Sequence, residues 1–150
     1  MVMKLMAVIW FLAVAMVSTF ALAGSPPRKV FECTVSQTTK LSISIDQDKE
    51  GLHFKEFIAN RSQLSQWIRP QDYHVRHYHR ALVDEKSLEF SIGERVILVS
   101  EYFSEEFNEV QRTLSVTFRQ SGQTEYFECE EGSISNLALL FKESTEQLNT

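Results

Sequence analysis

The stretch Tyr126-Phe127-Glu128-Cys129-Glu130 repeats in small the segment Val30-Phe31-Glu32-Cys33-Thr34 near the start of the chain. Each places an aromatic residue two positions before a cysteine, in a run typical of a short strand. These are the only cysteines among the 150 residues, and an even number in an exported chain indicates a disulfide. We therefore predict that Cys33 and Cys129 bond, and that the bond ties the first strand of the domain to its last.

The beginning of the chain predicts export. Lys4 precedes an apolar run that ends in Ala21-Leu22-Ala23, and this order is typical of a secretory signal peptide with a small-residue cleavage site. The alternative is a transmembrane anchor, since the run approaches the length that spans a bilayer. We predict a signal peptide over residues 1–23 and a mature protein that is periplasmic or secreted, without stable membrane insertion.

The mature part begins with a leader that contains two prolines. Pro26 and Pro27 cannot donate hydrogen bonds to a β-ladder, so residues 24–28 are predicted to be a flexible leader outside the sheet. Residues 29–150 are one domain's length of chain and are predicted to form a single β-rich domain.

Charge restricts the kind of partner. The chain has a formal net charge of −5, and removal of Lys4 with the signal peptide leaves the mature part more acidic still. Such a surface repels nucleic acid and anionic membranes, and it attracts cationic molecules. A basic protein is the expected partner.

Alternation of apolar and polar residues indicates antiparallel strands that each have one buried face. Val96-Ile97-Leu98-Val99 is apolar on both faces and is the candidate for the most central strand. We predict a β-barrel or a curved antiparallel meander with one or two short helices. The predicted strands span residues 30–37, 40–46, 72–80, 87–92, 95–103, 110–119 and 124–130.

Two segments allow either a helix or a strand. In residues 53–68 the apolar residues mostly recur every three or four positions, which favours an amphipathic helix at least after Asn60; the alternative is a strand over 53–58 with a helical turn over 62–68. In residues 133–147, Leu137, Leu140 and Phe141 lie at helical spacing, and a last strand over 134–141 is the alternative.

Three of the four histidines lie in Tyr73-His74-Val75-Arg76-His77-Tyr78-His79-Arg80. On a strand, His77 and His79 point to one face and could present two imidazoles to a zinc or copper ion. The sequence supplies no third ligand of known position, and the neighbouring arginines would oppose a cation. An ordinary polar strand face is the competing interpretation.

An acidic, aromatic run follows at residues 101–109. Paired carboxylates there could serve as general acid and base, and a solvated hairpin end is the plainer alternative. Rigid aromatics among acids also suit an interface with a basic partner, and four later glutamates could extend the acidic field. The predicted contact residues are Tyr102, Phe103, Glu105, Glu106 and Phe107, and the later glutamates are Glu125, Glu128, Glu130 and Glu131.

Motifs for catalysis are missing from the sequence. It contains no glycine-rich phosphate loop, no G-x-S-x-G elbow, no HExxH helix and no calcium loop. We therefore expect a protein that is not an enzyme and that uses no cofactor.

The layout resembles the small exported inhibitors of c-type lysozyme. The similarity lies in the signal peptide, the opening Phe31-Glu32-Cys33, the strand meander and the late cysteine. The resemblance implies a single β-barrel whose terminal segments are joined by a disulfide. The inhibitory loop of that family carries Ser-Gly-x-x-Tyr, whereas Ser121-Gly122-Gln123-Thr124-Glu125-Tyr126 has one residue more and lacks the lysine that follows.

Taken together, these features predict an exported binding protein. An inhibitor or immunity-type protein that neutralises a basic enzyme or toxin fits the stapled scaffold and the negative charge. A small-ligand carrier or sensor is the alternative, since small barrels can hold one ligand. A metal-binding protein that uses His77 and His79 is the second alternative.

Overall fold

A computed structural model describes residues 26–36 and 41–141 of the chain. The predicted signal peptide at 1–23 and the first residues of the leader lie outside this part, as do residues 37–40, where the first predicted strand ends and the second begins. The first strand begins at Arg28, directly after the two prolines, so Arg28 belongs to the sheet and not to the predicted leader. Across the described residues, no helix has the length and apolar character that a membrane span requires.

The described residues form two five-stranded antiparallel sheets, with strands in the order β10-β1-β2-β3-β4 and β5-β6-β7-β8-β9. Apart from β10, each strand is followed along its sheet by the next one in the chain, which confirms the predicted meander; the two sheets do not join into a closed barrel. The strands are β1 (Arg28–Ser36), β2 (Leu41–Gln47), β3 (Leu52–Ile58), β4 (Arg61–Ile68), β5 (Tyr73–Arg80), β6 (Val83–Ile92), β7 (Arg95–Ser104), β8 (Gln111–Gln120), β9 (Gln123–Glu128) and β10 (Ile134–Ser135).

The hydrophobic core lies between the two sheets. Phe54 on β3 and Phe90 on β6 meet edge to face with ring centroids 5.3 Å apart, so the contact joins one sheet to the other. The central position of β7 in its sheet confirms the prediction from its apolar run, and Ile97 and Val99 are fully buried. Burial of such side chains is the main force that holds two sheets face to face.

The helix predicted after Asn60 is wrong. Residues 52–68 form a hairpin of β3 and β4, and the two residues between them, Ala59 and Asn60, have left-handed backbone with φ of 51° and 62°. This backbone is typical of the tight turn that joins two twisted strands. The apparent helical spacing mixed two faces of the hairpin, since Phe54 is buried whereas Trp67 is exposed.

The turn at Ala59 gives a first testable prediction. Alanine in left-handed backbone is strained, and glycine at the same position is not. Glycine loses more conformational entropy on folding than alanine does, but this cost is smaller than the strain that it relieves. We expect Ala59→Gly to raise the free energy of unfolding by about 0.5 to 1 kcal/mol in urea denaturation. Ala81→Gly is the matched control, because Ala81 lies in a turn without left-handed φ; it should lower stability slightly, and equal effects of the two changes would contradict the turn geometry.

The predicted disulfide is present between Cys33 on β1 and Cys129, with Cα atoms 5.3 Å apart. Its position differs from the prediction, because Cys129 follows β9 and the last strand is β10, which pairs with β1. The bond therefore joins the two sheets and not the ends of one sheet. The backbone repeats this connection, since Cys129 N–H donates to the Leu114 carbonyl and Glu130 N–H to the Thr34 carbonyl, both at 2.8 Å.

The C-terminal segment combines the two predicted alternatives. A two-residue strand, β10, is followed by a helical turn over residues 138–141, and residues 142–147 of the predicted helix lie outside the described part. Leu137 and Leu140 are buried in the core, as their spacing predicted. The turn thus covers the core beside β1.

The inner face of the second sheet changes character along its length. Val75 and Leu88 pack in or against the core, and two positions further along the same faces of β5 and β6 stand His77 and Lys86. The neighbouring strand β7 likewise continues from buried Val99 to Glu101. The apolar core therefore gives way to a polar cluster at one end of the sheet, next to the turn between β5 and β6.

Candidate functional site

Two loops lie side by side at this end of the second sheet. Ala81-Leu82 turns β5 into β6, and residues 105–110 connect β7 to β8. The Glu105 N–H donates to the Leu82 carbonyl at 2.9 Å, which joins the loops, and Arg80 Nη2 contacts Glu106 Oε1 at 2.8 Å. We call residues 81–82 and 105–110 the paired loops.

Phe107 is the most exposed large apolar side chain among the described residues. Its side chain is held out at the middle of the longer loop, and the residue is 92% exposed. Its φ is 61° and that of Asn108 is 60°, so two successive non-glycine residues are left-handed. Strained backbone of this kind persists only where the surrounding structure imposes it.

Hydrogen bonds within the loop impose this conformation. The Glu106 N–H donates to Ser104 Oγ at 3.2 Å, and the Glu109 N–H donates to the Glu106 carbonyl at 3.2 Å. Val110 and Leu82, 73% and 49% exposed, add further apolar area to the paired loops. An aromatic anchor on an ordered loop is the feature that recurs at the centre of protein interfaces.

The structure separates the five predicted contact residues. Phe107 and Glu105 are exposed on the paired loops, while Glu106 is half-buried beside Arg80. Tyr102 and Phe103 are half-buried on opposite faces of β7, so they cannot both belong to one contact surface. Sequence reasoning missed Leu82 and Val110, whose signal was an apolar residue at a turn or loop position where polar residues are usual.

Acidic groups surround the paired loops. Glu105 and Glu109 are exposed in the longer loop. The four later glutamates predicted to extend the acidic field lie in two different places. Glu128, Glu130 and Glu131 line a cleft of about 390 Å³ together with Arg112. This cleft lies at the start of β8, where the longer loop joins that strand. Glu125 pairs with Phe118 towards the other end of the sheet, so it does not extend this field.

The two predicted metal ligands do lie together on the inner face of β5, and a third group joins them. Asp84 stands on β6 directly opposite His79. His77 Nε2 lies 2.6 Å and His79 Nδ1 3.1 Å from Asp84 Oδ1, and the three potential ligand atoms all lie within 4.8 Å of one another. The Phe141 ring packs against His77 with centroids 5.5 Å apart.

Asp84 is held in its charged form. Partial burial by itself would raise its pKa, but hydrogen bonds from Lys86, His77 and His79 together hold the pKa of this carboxyl well below its usual range. The Lys86 ammonium bonds Asp84 Oδ2, so the carboxylate offers one oxygen to the histidines and the other to the lysine.

Sequence reasoning missed Asp84 because the predicted β6 began at residue 87. The observed strand starts at Val83, and a two-residue turn at Ala81-Leu82 then fixes the pairing of Arg80 with Val83 and of His79 with Asp84. Counting outward from such a turn would have identified Asp84. The signal was therefore present, but it depended on where the strand begins.

A second exposed aromatic lies on the other sheet. Trp67 on β4 stacks on His53 with ring centroids 4.4 Å apart, and it borders a cleft of about 380 Å³ together with Asp72 and Ser91. Burial and the nearby Lys55 charge lower the pKa of His53. Stacking satisfies one face of the indole, which distinguishes Trp67 from the free ring of Phe107.

Comparisons of the chain with protein-family models, with curated proteins and with solved structures find no match.

Proposed function

We propose that this chain is an exported binding protein that neutralises a basic enzyme or toxin through its paired loops. The observation that carries the proposal is the exposure of Phe107 on a strained, hydrogen-bonded loop. A loop whose backbone is already ordered loses little backbone freedom on binding, so more of the free energy from burial of the ring contributes to affinity.

The surrounding charge supports a basic partner. Glutamates of the longer loop and of the neighbouring cleft create a negative field around an apolar centre. Such a field accelerates encounter with a cationic surface and orients it, while the apolar centre supplies slow dissociation. This combination suits a protein that acts by blocking another one.

The disulfide supports export. The bond between Cys33 and Cys129 joins two sheets, and disulfides of this structural kind persist in oxidising compartments. Together with the predicted signal peptide it supports a mature chain that is periplasmic or secreted. The resemblance of the sequence layout to inhibitors of c-type lysozyme makes that enzyme the first defined partner to test.

The test compares three immobilised proteins with intact disulfides: the wild type, Phe107→Ala and Trp67→Ala. The partner is the protein from the exported fraction of the source cell that wild type and Trp67→Ala retain and Phe107→Ala does not. We expect Phe107→Ala to weaken affinity by about 30- to 1,000-fold, the usual effect of truncating a central aromatic anchor. Purified c-type lysozyme is tested in parallel by calorimetry and by residual activity.

A second variant separates charge from the apolar contact. The double change Glu105→Gln and Glu109→Gln should slow association several-fold at low salt and leave dissociation nearly unchanged. Because Phe107 is exposed, Phe107→Ala should not alter the unfolding transition. A loss of binding in this variant would therefore not result from unfolding. Equal retention of every protein by wild type and Phe107→Ala would refute the proposal.

A further inference from the structure

The geometry points to a site for one borderline transition-metal dication, such as Zn²⁺ or Cu²⁺, formed by His77, His79 and Asp84. This inference is independent of the paired loops. It concerns the polar end of the inner sheet face, where the two imidazoles and the carboxylate converge.

The spacing of the donors suits such an ion. Zinc binds imidazole nitrogen and carboxylate oxygen at about 2.0 to 2.2 Å, so two donors around one ion lie roughly 3.3 Å apart. The Asp84 oxygen now lies 2.6 Å from His77 Nε2 and 3.1 Å from His79 Nδ1. A displacement of this carboxylate oxygen by less than about 1 Å would bring both distances to the spacing of donors around one ion.

Rigid elements hold the ligands. Both histidines stand on β5, and Asp84 stands on the hydrogen-bonded neighbour β6, where the two-residue turn fixes the register. Ligands on paired strands are placed more accurately than ligands on loops. Two imidazoles with one carboxylate, open to solvent on one side, form a donor set found in catalytic zinc sites and in non-haem iron sites, and imidazole also suits copper.

The exposure of the ligands leaves an entry path. The side chain of His79 is 69% exposed and that of His77 is 41% exposed. The Phe141 ring stands against His77 and limits its rotation from one side. An ion could therefore enter from solvent while a fourth coordination position stays open.

The arginines that would oppose a cation point away from the site. Arg76 and Arg80 alternate with the histidines along β5 and lie on the outer face. There they contact carboxylates, Arg76 with Glu89 at 3.9 Å and Arg80 with Glu106 at 2.8 Å. Their charge is thus partly neutralised and directed to the opposite side of the sheet.

Among the described residues, Lys86 is the one cation on the face of the site that contacts it. It bonds the second oxygen of Asp84, the position where carboxylate ligands usually have an outer hydrogen-bond partner. The bond orients the carboxylate, and the positive charge weakens the attraction for a dication. We therefore expect a moderate affinity that rises when the charge of Lys86 is removed.

The experiment uses the tag-free mature chain with its disulfide intact, titrated separately with ZnCl₂ and CuCl₂ in a calorimeter. We expect one ion per chain. Asp84→Asn and His79→Ala should each weaken binding at least about 100-fold, as loss of a ligand does. His74→Ala is the matched control, since His74 lies on the same strand but the opposite face, and it should bind as the wild type does.

The variant Lys86→Gln distinguishes two roles of His77, His79 and Asp84: ligation of a metal ion, and a hydrogen-bonded cluster that only stabilises the fold. A ligation site should bind the ion about 10-fold more tightly once the lysine charge is gone, whereas a merely structural role gives no such gain. Circular dichroism checks that each variant keeps its β-sheet signal. Wild-type binding no tighter than about millimolar, or equal losses for His74→Ala and Asp84→Asn, would overturn the inference.

Discussion

Removing the Cys33–Cys129 bond is expected to lower the free energy of unfolding by about 4 to 5 kcal/mol. The two cysteines lie 96 residues apart, so the bond closes a loop that spans most of the domain. In the chain-entropy model the stabilisation comes from the unfolded state, whose freedom the crosslink reduces, and it increases with loop length. Domains of this kind have about 5 to 15 kcal/mol of total stability, so the loss is a large fraction.

The measurement is guanidinium denaturation of wild type and of the double variant Cys33→Ala and Cys129→Ala. Wild type reduced with dithiothreitol is the control, because it lacks the bond but keeps both sulfur atoms. The two disulfide-free forms should agree within about 1 kcal/mol, with the variant less stable because Cys33 is fully buried. A loss below about 1 kcal/mol in both would contradict the role assigned to the bond.

Truncation of the inter-sheet aromatic contact has the second largest expected effect. Phe54 is fully buried and meets Phe90 of the other sheet edge to face. Phe54→Ala removes the transfer free energy of the ring and leaves a cavity between sheets that cannot close on it. We expect a loss of about 3 to 5 kcal/mol.

Phe107→Ala is the matched control for this change. It removes the same atoms from a residue that is 92% exposed, so its unfolding free energy should differ from wild type by less than about 0.5 kcal/mol. Urea denaturation of both variants with the disulfide intact measures the difference. Similar losses for the two variants would show that Phe54 does not join the sheets as described.

Phe54 and Phe107 have different roles: Phe54 stabilises the fold, and Phe107 is the proposed contact with the partner. Phe54 and the disulfide hold two sheets together, and the rigid scaffold then keeps the paired loops in place. The strain at Phe107 and Asn108 depends on this support, because left-handed backbone relaxes when its surroundings loosen. A destabilised scaffold should therefore weaken binding even though its mutated residues lie far from the partner.

The polar end of the second sheet results from the way in which the two sheets pack against each other. Core-facing positions of β5 and β6 are apolar where the other sheet covers them, at Val75 and Leu88, and polar where the core ends. There His77, His79 and Asp84 can stay accessible while belonging to a regular ladder. A site built from ladder positions inherits the rigidity of the sheet.

Local patterns in the sequence were enough to predict most of the strands, the disulfide and the loop that carries Phe107. Alternation of apolar and polar residues along β2, β6 and β8 and the continuous apolar run Val96-Ile97-Leu98-Val99 are local properties. They therefore identified strands, and the run identified the central strand, without any knowledge of the neighbours. The pair of similar segments at Cys33 and Cys129 likewise identified the disulfide. The acidic run at 101–109 identified the loop that carries Phe107.

The tertiary structure alone decided how these parts combine. The hairpin turn at Ala59 and Asn60 made the helix predicted from periodicity wrong. The turn has left-handed backbone but no glycine, so its residues carry no strong turn signal. The approach of Leu82 to Glu105 and of Asp84 to His77 depends on strand register, and a shift of one residue would turn each side chain to the other face. Local patterns fix which residues form strands, but only pairing between distant segments brings a third ligand to two histidines and a second loop to Phe107.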